Sequence, residues 1–311
     1  MKISVVIPVY GCKGALFELH DRLVSTLKKI KKSYEIILVD DDCPQNSWES
    51  IQLICNKDKN VKGIKLSRNF GQIKAITAGL DNASGDYIVV MDCDLQDRPE
   101  SIIEMYNKLE EGYDVVFARR EERKDSRITK FLSKLFYKFY DYFTNGNYDN
   151  AICNFSISRR IVIQSYCKMR EQNRAYTMFI KWLGFKQTSI NLKADKRYEG
   201  KSSYNFKKKL KLALEVITSQ SNKPLMFSIT IGFIFSIIAL IMIIFLIIQV
   251  ILKKDVLVGW TSIMASIYLM GGLILFAIGV VGIYIGNIFN EVKNRPIYIV
   301  SKTINLKEDE K

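Results

Sequence analysis

Gly85-Asp86-Tyr87-Ile88-Val89-Val90-Met91-Asp92-Cys93-Asp94-Leu95-Gln96-Asp97 is the stretch on which the reading of this chain turns. Its first half is a short, apolar, β-branched run opened by a turn signal, the pattern of a buried parallel strand. Its second half places acids at the carboxyl end of that strand, where open α/β sheets bind their ligands. Asp92 and Asp94, two residues apart on a strand-end turn, can converge on one hard divalent cation. Mg²⁺ and Mn²⁺ take oxygen ligands and are commonly shared with substrate phosphates. A bare acidic pair of this kind is more often a solvated turn, so the surrounding sequence has to decide.

Working outward, the first 120 residues alternate apolar strands with helix-like segments, which predicts a mostly parallel sheet covered on both faces. Strands are expected at 3–8, 34–40, 61–66, 87–91 and 114–118, and helices near 13–30, 48–56, 72–82 and 99–110. Asp40-Asp41-Asp42 ends the second strand as Asp92-Cys93-Asp94 ends the fourth. Two acidic strand ends on one sheet edge suit a nucleotide's base and ribose at one and a metal-bound diphosphate at the other. The first strand is followed by Pro8-Val9-Tyr10-Gly11-Cys12-Lys13-Gly14, which carries neither the G-x-G-x-x-G of dinucleotide folds nor a P-loop.

The apolar residues are unevenly spread. Pro224 to Leu252 is 29 residues without a charge, and Val256 to Asn290 is 35. Each exceeds the roughly 20 residues that cross a bilayer core. Lys253-Lys254-Asp255 between them is too short for anything but an antiparallel hairpin. Lys207 to Lys211, Lys223, Lys293 and Arg295 flank its outer ends, so the positive-inside bias predicts that residues 1–223 and the tail lie in the cytoplasm. Met1-Lys2-Ile3-Ser4 runs into a strand without the form of a signal peptide. The net charge of +14 is concentrated towards the membrane-proximal end, which suits anionic headgroups and argues against nucleic acid. Six cysteines, at 12, 43, 55, 93, 153 and 167, lack metal-type spacing and are expected as reduced, mostly buried thiols.

Val5-Val6-Ile7-Pro8-Val9-Tyr10, Val39-Asp40-Asp41-Asp42, Leu66-Ser67-Arg68-Asn69-Phe70-Gly71-Gln72 and Met91-Asp92-Cys93-Asp94-Leu95-Gln96-Asp97-Arg98-Pro99-Glu100 together resemble the family 2 glycosyltransferases. More narrowly they are similar to the dolichol-phosphate-mannose-synthase-like, bacterial polyprenyl-phosphate glycosyltransferase branch. The likeness continues through Arg197-Tyr198-Glu199-Gly200-Lys201-Ser202-Ser203-Tyr204 and Ser219 to Leu225 into the membrane hairpin. It implies a GT-A fold, a nucleotide-sugar donor and Mg²⁺ or Mn²⁺ as cofactor. By the family pattern Asp92, Asp94 and Gln96 surround the metal, and Pro8, Tyr10, Asp40 and Asp42 line the nucleoside site. Arg119 or Arg120, Arg127 and Arg197, with Ser133 and Lys201, meet donor or acceptor phosphates. Three departures stand out: Asp41 to Pro44 reads Asp-Asp-Cys-Pro where the family has Asp-Asp-Gly-Ser, and Gly11-Cys12-Lys13 lacks the usual acid. The third is Asn154-Phe155-Ser156-Ile157, which replaces the Asp-Phe-Arg-Leu of many bacterial members.

Sugar transfer to an alcohol ordinarily needs a base, because the hydroxyl is a poor nucleophile at neutral pH. His20, the single histidine, sits in the first helix and reads as an exposed helix residue. Between Asn150 and Ser221 the acids are scattered: Glu171, Asp195, Glu199 and Glu215. A phosphate acceptor removes the requirement, since its second pKa is about 6 and its oxygen is already anionic. Basic Arg127, Lys130, Lys134 and Lys138 alternate with apolar residues over 127–143, the pattern of a helix lying in the headgroup region. Gly282 and Gly286 allow close helix approach within the hairpin or in a homo-oligomer. The expected organisation is therefore a GT-A domain over 1–205 and a juxtamembrane helix over 206–223. Spans at 224–252 and 256–290 and a cytoplasmic tail at 291–311 complete it, in a multi-pass protein of the bacterial inner (plasma) membrane. The expected activity is inverting transfer from a nucleotide sugar to a polyprenyl phosphate such as undecaprenyl phosphate. The alternatives are a lipid-linked sugar or other glycan as acceptor, and a non-catalytic membrane scaffold that keeps the fold.

Overall fold

The computed structural model describes residues 1–120, 151–193, 195, 218, 221–251 and 259–306. Arg127, Ser133, Arg197, Lys201, the segment 127–143 and the hairpin tip lie outside the described residues. The described chain forms two units: residues 1–120, 151–193, 195 and 296–306 make one, and 218, 221–251 and 259–295 the other.

The first unit is built on one eight-stranded mixed sheet. Its strands are β1 (Lys2–Val9), β2 (Ser33–Asp40), β3 (Val61–Leu66), β4 (Tyr87–Val90), β5 (Val115–Arg120), β6 (Ile152–Arg159), β7 (Gln187–Leu192) and β8 (Val300–Ile304). In space they run β7-β5-β6-β4-β1-β2-β3-β8. β4, β1, β2 and β3 are parallel neighbours, with Val6 opposite Val90 and Val9 opposite Asp40. β6 runs antiparallel to both β4 and β5, so β5 ends at the same edge as the central four. Strands buried on both faces read as continuous apolar runs, and the wholly buried Ile3, Val5, Val6 and Ile7 of β1 fit that rule.

Among the described residues six α-helices cover the sheet: α1 (Leu16–Ile30), α2 (Ser47–Lys57), α3 (Gln72–Asp81), α4 (Ser101–Glu110), α5 (Arg160–Lys168) and α6 (Tyr176–Trp182). They divide the core into two layers. Leu16, Leu19, Leu23, Ile51, Ile102 and Met105 pack on one face, and Ala75, Ile76, Ala78, Val162 and Phe179 on the other. Gly79 brings α3 down onto the sheet, because a Cβ there would stand 2.3 Å from Val6 Cγ1. That close approach places the first residue of α3 over the ends of the central strands.

The second unit holds α7 (Lys223–Ile251) and α8 (Trp260–Val292). Both carry windows long and apolar enough to cross a bilayer, with mean hydropathy 2.5 and 2.3 and almost nothing buried against protein. Such exposure is costly in water and costless in lipid, so these are not core helices of a soluble fold. Tyr284 Oη donates to the Ser221 carbonyl at 2.6 Å and Asn287 Nδ2 to that of Thr218 at 3.3 Å, which pairs the end of α8 with the start of α7. The two helices are antiparallel. After α8 the chain rejoins the sheet as β8, antiparallel to β3, where Asn305 Nδ2 donates to the Cys55 and Val61 carbonyls at 2.8 Å.

Candidate active site

The ends of β1, β2 and β4 meet at one edge of the sheet because these strands are parallel neighbours. Tyr10, 47% exposed, follows β1, and Pro8 is buried within it opposite Val39. Asp40, the last residue of β2, is buried and accepts the Cys43 backbone N–H at 3.0 Å. Burial raises its pKa above the usual carboxylate value. Asp42 is exposed at a left-handed φ of 52°. Between them Asp41, also buried, accepts the Phe70 and Gly71 N–H groups at 2.7 and 2.9 Å. Its carboxylate holds down the loop that opens α3.

The loop after β4 carries three acids in three different settings. Asp97 is buried and accepts both of its contacts from Arg120 Nη2, at 3.0 and 3.2 Å. Asp94 Oδ1 accepts the Gln96 N–H at 3.1 Å, closing a tight turn through Leu95 at φ 58°. Asp92 Oδ1 accepts the Gln72 side-chain amide at 2.7 Å. Desolvation first, and the nearby charges of Asp97 and Asp94 next, push the Asp92 carboxyl up to about 7. The sequence left Arg119 and Arg120 undivided, and strand alternation separates them. Arg120 turns to Asp97 at the loop, while Arg119 Nη1 donates to Asn191 Oδ1 at 3.3 Å.

Gln96 turns its carbonyl to the Asp195 N–H at 2.9 Å, and Arg98 Nε donates to Asp195 Oδ2 at 2.7 Å. Asp195 thereby ties the acidic loop to the segment that leads on to Arg197. Phe155 of the Asn154-Phe155-Ser156-Ile157 element lies on β6 and lines a small recess with Asp97, Arg98, Arg120 and Lys193. His20 is half-buried rather than exposed, with Nδ1 3.0 Å from Asp21 and Nε2 3.4 Å from Asp58. It bridges α1 to the end of α2 and takes no part in this edge.

The cysteines correct the sequence reading. Cys12 and Cys93 form a disulfide, with Cα atoms 6.2 Å apart, while Cys43, Cys55, Cys153 and Cys167 are free thiols. The pair is 81 residues apart in sequence and carries no spacing signature. β1 and β4 are sheet neighbours, so the loops that follow them bring the two residues into disulfide range. The bond staples the loop after Tyr10 to the middle of Asp92-Cys93-Asp94.

Among the described residues no three His, Cys, Asp or Glu side chains form a ready cation cage. Asp92 and Asp94 nonetheless bring two carboxylates to one short loop, and Asp92 is hydrogen-bonded by a neutral amide rather than by a cation. A cation held by one or two carboxylates plus substrate phosphates fits that donor set.

A family model described as glycosyl transferase family 2 matches residues 4–167. The chain belongs to this family. As a family 2 glycosyltransferase it is 32% identical over 316 residues to the undecaprenyl-phosphate 4-deoxy-4-formamido-L-arabinose transferase of Proteus mirabilis, covering 100% of this chain and 96% of that one. It is likewise 32% identical over 304 residues to a prophage bactoprenol glucosyl transferase homolog of Escherichia coli, covering 97% and 99%. The mannosyl-3-phosphoglycerate synthase of Rubrobacter xylanophilus shares the fold at a TM-score of 0.51 and 14% identity, over 70% of this chain and 72% of that one. So does the glucosyl-3-phosphoglycerate synthase of Mycobacterium tuberculosis, solved with Mn²⁺, UDP-glucose and phosphoglyceric acid, at 0.51 and 15%, over 70% and 77%. The expected GT-A-like α/β fold, followed by two apolar helices of membrane-spanning length, is what this family 2 glycosyltransferase has.

Proposed function

We propose that the protein is an inverting, metal-dependent glycosyltransferase that moves a sugar from a nucleotide-diphosphate sugar to a polyprenyl phosphate at the cytoplasmic face of the membrane. The observation that carries this reading is the end-to-end likeness, hairpin included, to proteins named for undecaprenyl phosphate and bactoprenol. The chemistry agrees. Among the described residues at this strand edge, Asp40, Asp41, Asp97 and Asp195 are committed to backbone contacts or ion pairs; with Asp42 assigned to the nucleoside and Asp92 and Asp94 to the metal, this reading leaves no acid over as a base for an alcohol.

In the proposed reaction an acceptor phosphate oxygen attacks the anomeric carbon from the face opposite the leaving group. The C–O bond to the nucleoside diphosphate breaks, and the diphosphate departs with the bonding electrons. No proton has to be removed from the acceptor. Asp92 and Asp94, with Gln96 beside them, would hold Mg²⁺ or Mn²⁺, which would supply counter-charge to the diphosphate. Pro8, Tyr10, Asp40 and Asp42 are assigned to the nucleoside, and Arg120 to the phosphate end through the recess it lines. Arg197, with Arg127, Ser133 and Lys201, is assigned to the acceptor phosphate by the family pattern. In connectivity both outer ends of the hairpin join the sheet unit, α7 from residues before it and α8 through β8. That suits a domain and tail sharing one side.

The test is transfer of label from a panel of radiolabelled nucleotide sugars to undecaprenyl phosphate by the purified full chain, with undecaprenol in parallel. The phosphate is expected to be glycosylated, the alcohol not, and EDTA to stop turnover until Mg²⁺ or Mn²⁺ is restored. Arg197→Lys is expected to raise KM for the lipid phosphate with donor affinity unchanged, because lysine cannot reproduce a bidentate guanidinium contact. Equal use of undecaprenol would overturn the acceptor and demand a catalytic base.

A further inference from the structure

We infer that Gln72 is a positioning residue for Asp92, holding one carboxylate oxygen so that the other is presented to the divalent cation of the proposed reaction. The inference rests on that reading and extends it from the acidic loop to a residue on a different element, α3.

Gln72 is fixed from both sides. Its backbone opens α3 directly after Gly71, whose φ of 96° is a turn that side-chain-bearing residues rarely adopt. Lys74 and Ala75 donate to the Gly71 carbonyl at 3.0 and 3.1 Å and start the helix there. The preceding loop is pinned by the buried Asp41 carboxylate, which accepts from Phe70 and Gly71 with one oxygen each. The Arg68 guanidinium lies 4.2 Å from the centre of the Phe70 ring and covers the same turn. Gly79 then lets α3 settle against Val6 of β1. The end of β2, the start of α3 and the end of β4 are thus joined in series through Asp41, Gln72 and Asp92.

The chemistry of the donor matters as much as its place. Asp97 is held by a guanidinium, which satisfies its geometry and also neutralises it. Asp92 is held by a neutral amide at 2.7 Å, which fixes its orientation and leaves its charge in place. The arrangement divides the acids of one loop into a structural carboxylate and a ligand carboxylate. A cation bound through one carboxylate oxygen needs the other restrained, and outer partners of this kind are typically worth about 10–100-fold in metal affinity. Gln72 closes the Leu66–Gln72 stretch that carries part of the family resemblance, but the sequence does not show which residue it meets, because the partner is 20 residues away on the loop after β4.

The test is Mn²⁺ titration of the full chain in detergent, without nucleotide, followed by the electron paramagnetic resonance signal of free Mn²⁺. The wild type is compared with Gln72→Leu, Gln72→Met and Asp92→Asn, and the Mn²⁺ dependence of turnover is measured on the same proteins. Gln72→Leu is expected to weaken Mn²⁺ binding about 10–100-fold and to raise the Mn²⁺ concentration for half-maximal rate, with much of kcat recovered at saturating metal. Gln72→Met keeps the length and removes the donor without adding charge, so it tests the same contact if the leucine variant folds poorly. Unchanged Mn²⁺ binding in Gln72→Leu or Gln72→Met, with binding lost in Asp92→Asn, would overturn the inference and leave the metal site standing. Binding unchanged in Asp92→Asn would overturn the metal site itself and the inference with it.

Discussion

Removing the charge at Asp92 should make the metal-free protein more stable while destroying its activity. The carboxyl is pushed up to about 7, with desolvation as the largest cause and Asp97 and Asp94 adding to it. Against an ordinary aspartate near 4, and at about 1.4 kcal/mol per pH unit, this bounds the cost of ionising Asp92 in the fold at about 4 kcal/mol. Asp92 is half-buried rather than sealed, so about half of that, roughly 2 kcal/mol, is the working expectation. Asparagine keeps an oxygen for the Gln72 amide and cannot ionise. Asp92→Asn, stripped of metal near pH 8, is therefore expected to melt about 4–8 °C above the wild type. The sign with pH follows from the raised pKa: the folded state holds a proton that the unfolded chain has lost between about pH 4 and 7. The wild-type penalty is full above pH 7 and fades as pH falls toward 4, so the gap between the proteins narrows near pH 5. Mn²⁺ should raise the melting temperature of the wild type and not of the variant, since only a competent site gains by mass action. The measurement is differential scanning calorimetry of both proteins at the two pH values with and without Mn²⁺. A variant no more stable than the wild type in metal-free buffer, or a gap that ignores pH, would refute the electrostatic account of this loop.

Three further outcomes are expected. Purified without reductant, denatured and alkylated, the chain should take up four alkyl groups rather than six, because Cys12 and Cys93 are joined; six would remove the cross-link. Glu35, buried and held by Lys2 and Lys62 at 2.7 Å, has its pKa lowered to about 2. Its contribution is present above the unfolded value and lost as pH falls through the folded one, so Glu35→Gln should cost about 3 kcal/mol near neutral pH and progressively less below pH 4, read by urea unfolding. Cysteine placed at Asp255 should be labelled from outside intact cells and cysteine at Lys307 should not; labelling of the second alone would reverse the proposed orientation.

The sequence by itself determined the central strands, because buried parallel strands must be apolar on both faces and therefore announce themselves without any partner. β3 lies over the expected 61–66, and the others depart by a residue or two. It also determined the two long apolar helices, since span length follows from composition alone, and it located both acidic strand ends. Tertiary structure decided what depends on pairing between distant segments. β8 is an exposed, mixed-polarity run, Val300-Ser301-Lys302-Thr303-Ile304, and becomes a strand only through its backbone bonds to β3. β6 reverses direction between β4 and β5, which no local pattern encodes. Asp40 and Asp41 are both buried and both hold backbone, Asp40 the turn at Cys43 and Asp41 the loop that opens α3, because the turn after β2 breaks the strand's alternation. The Cys12–Cys93 bond, the Arg120–Asp97 pair and the Gln72 contact join residues 81, 23 and 20 positions apart. Each exists only because sheet order makes neighbours of strand ends that the chain visits at different times.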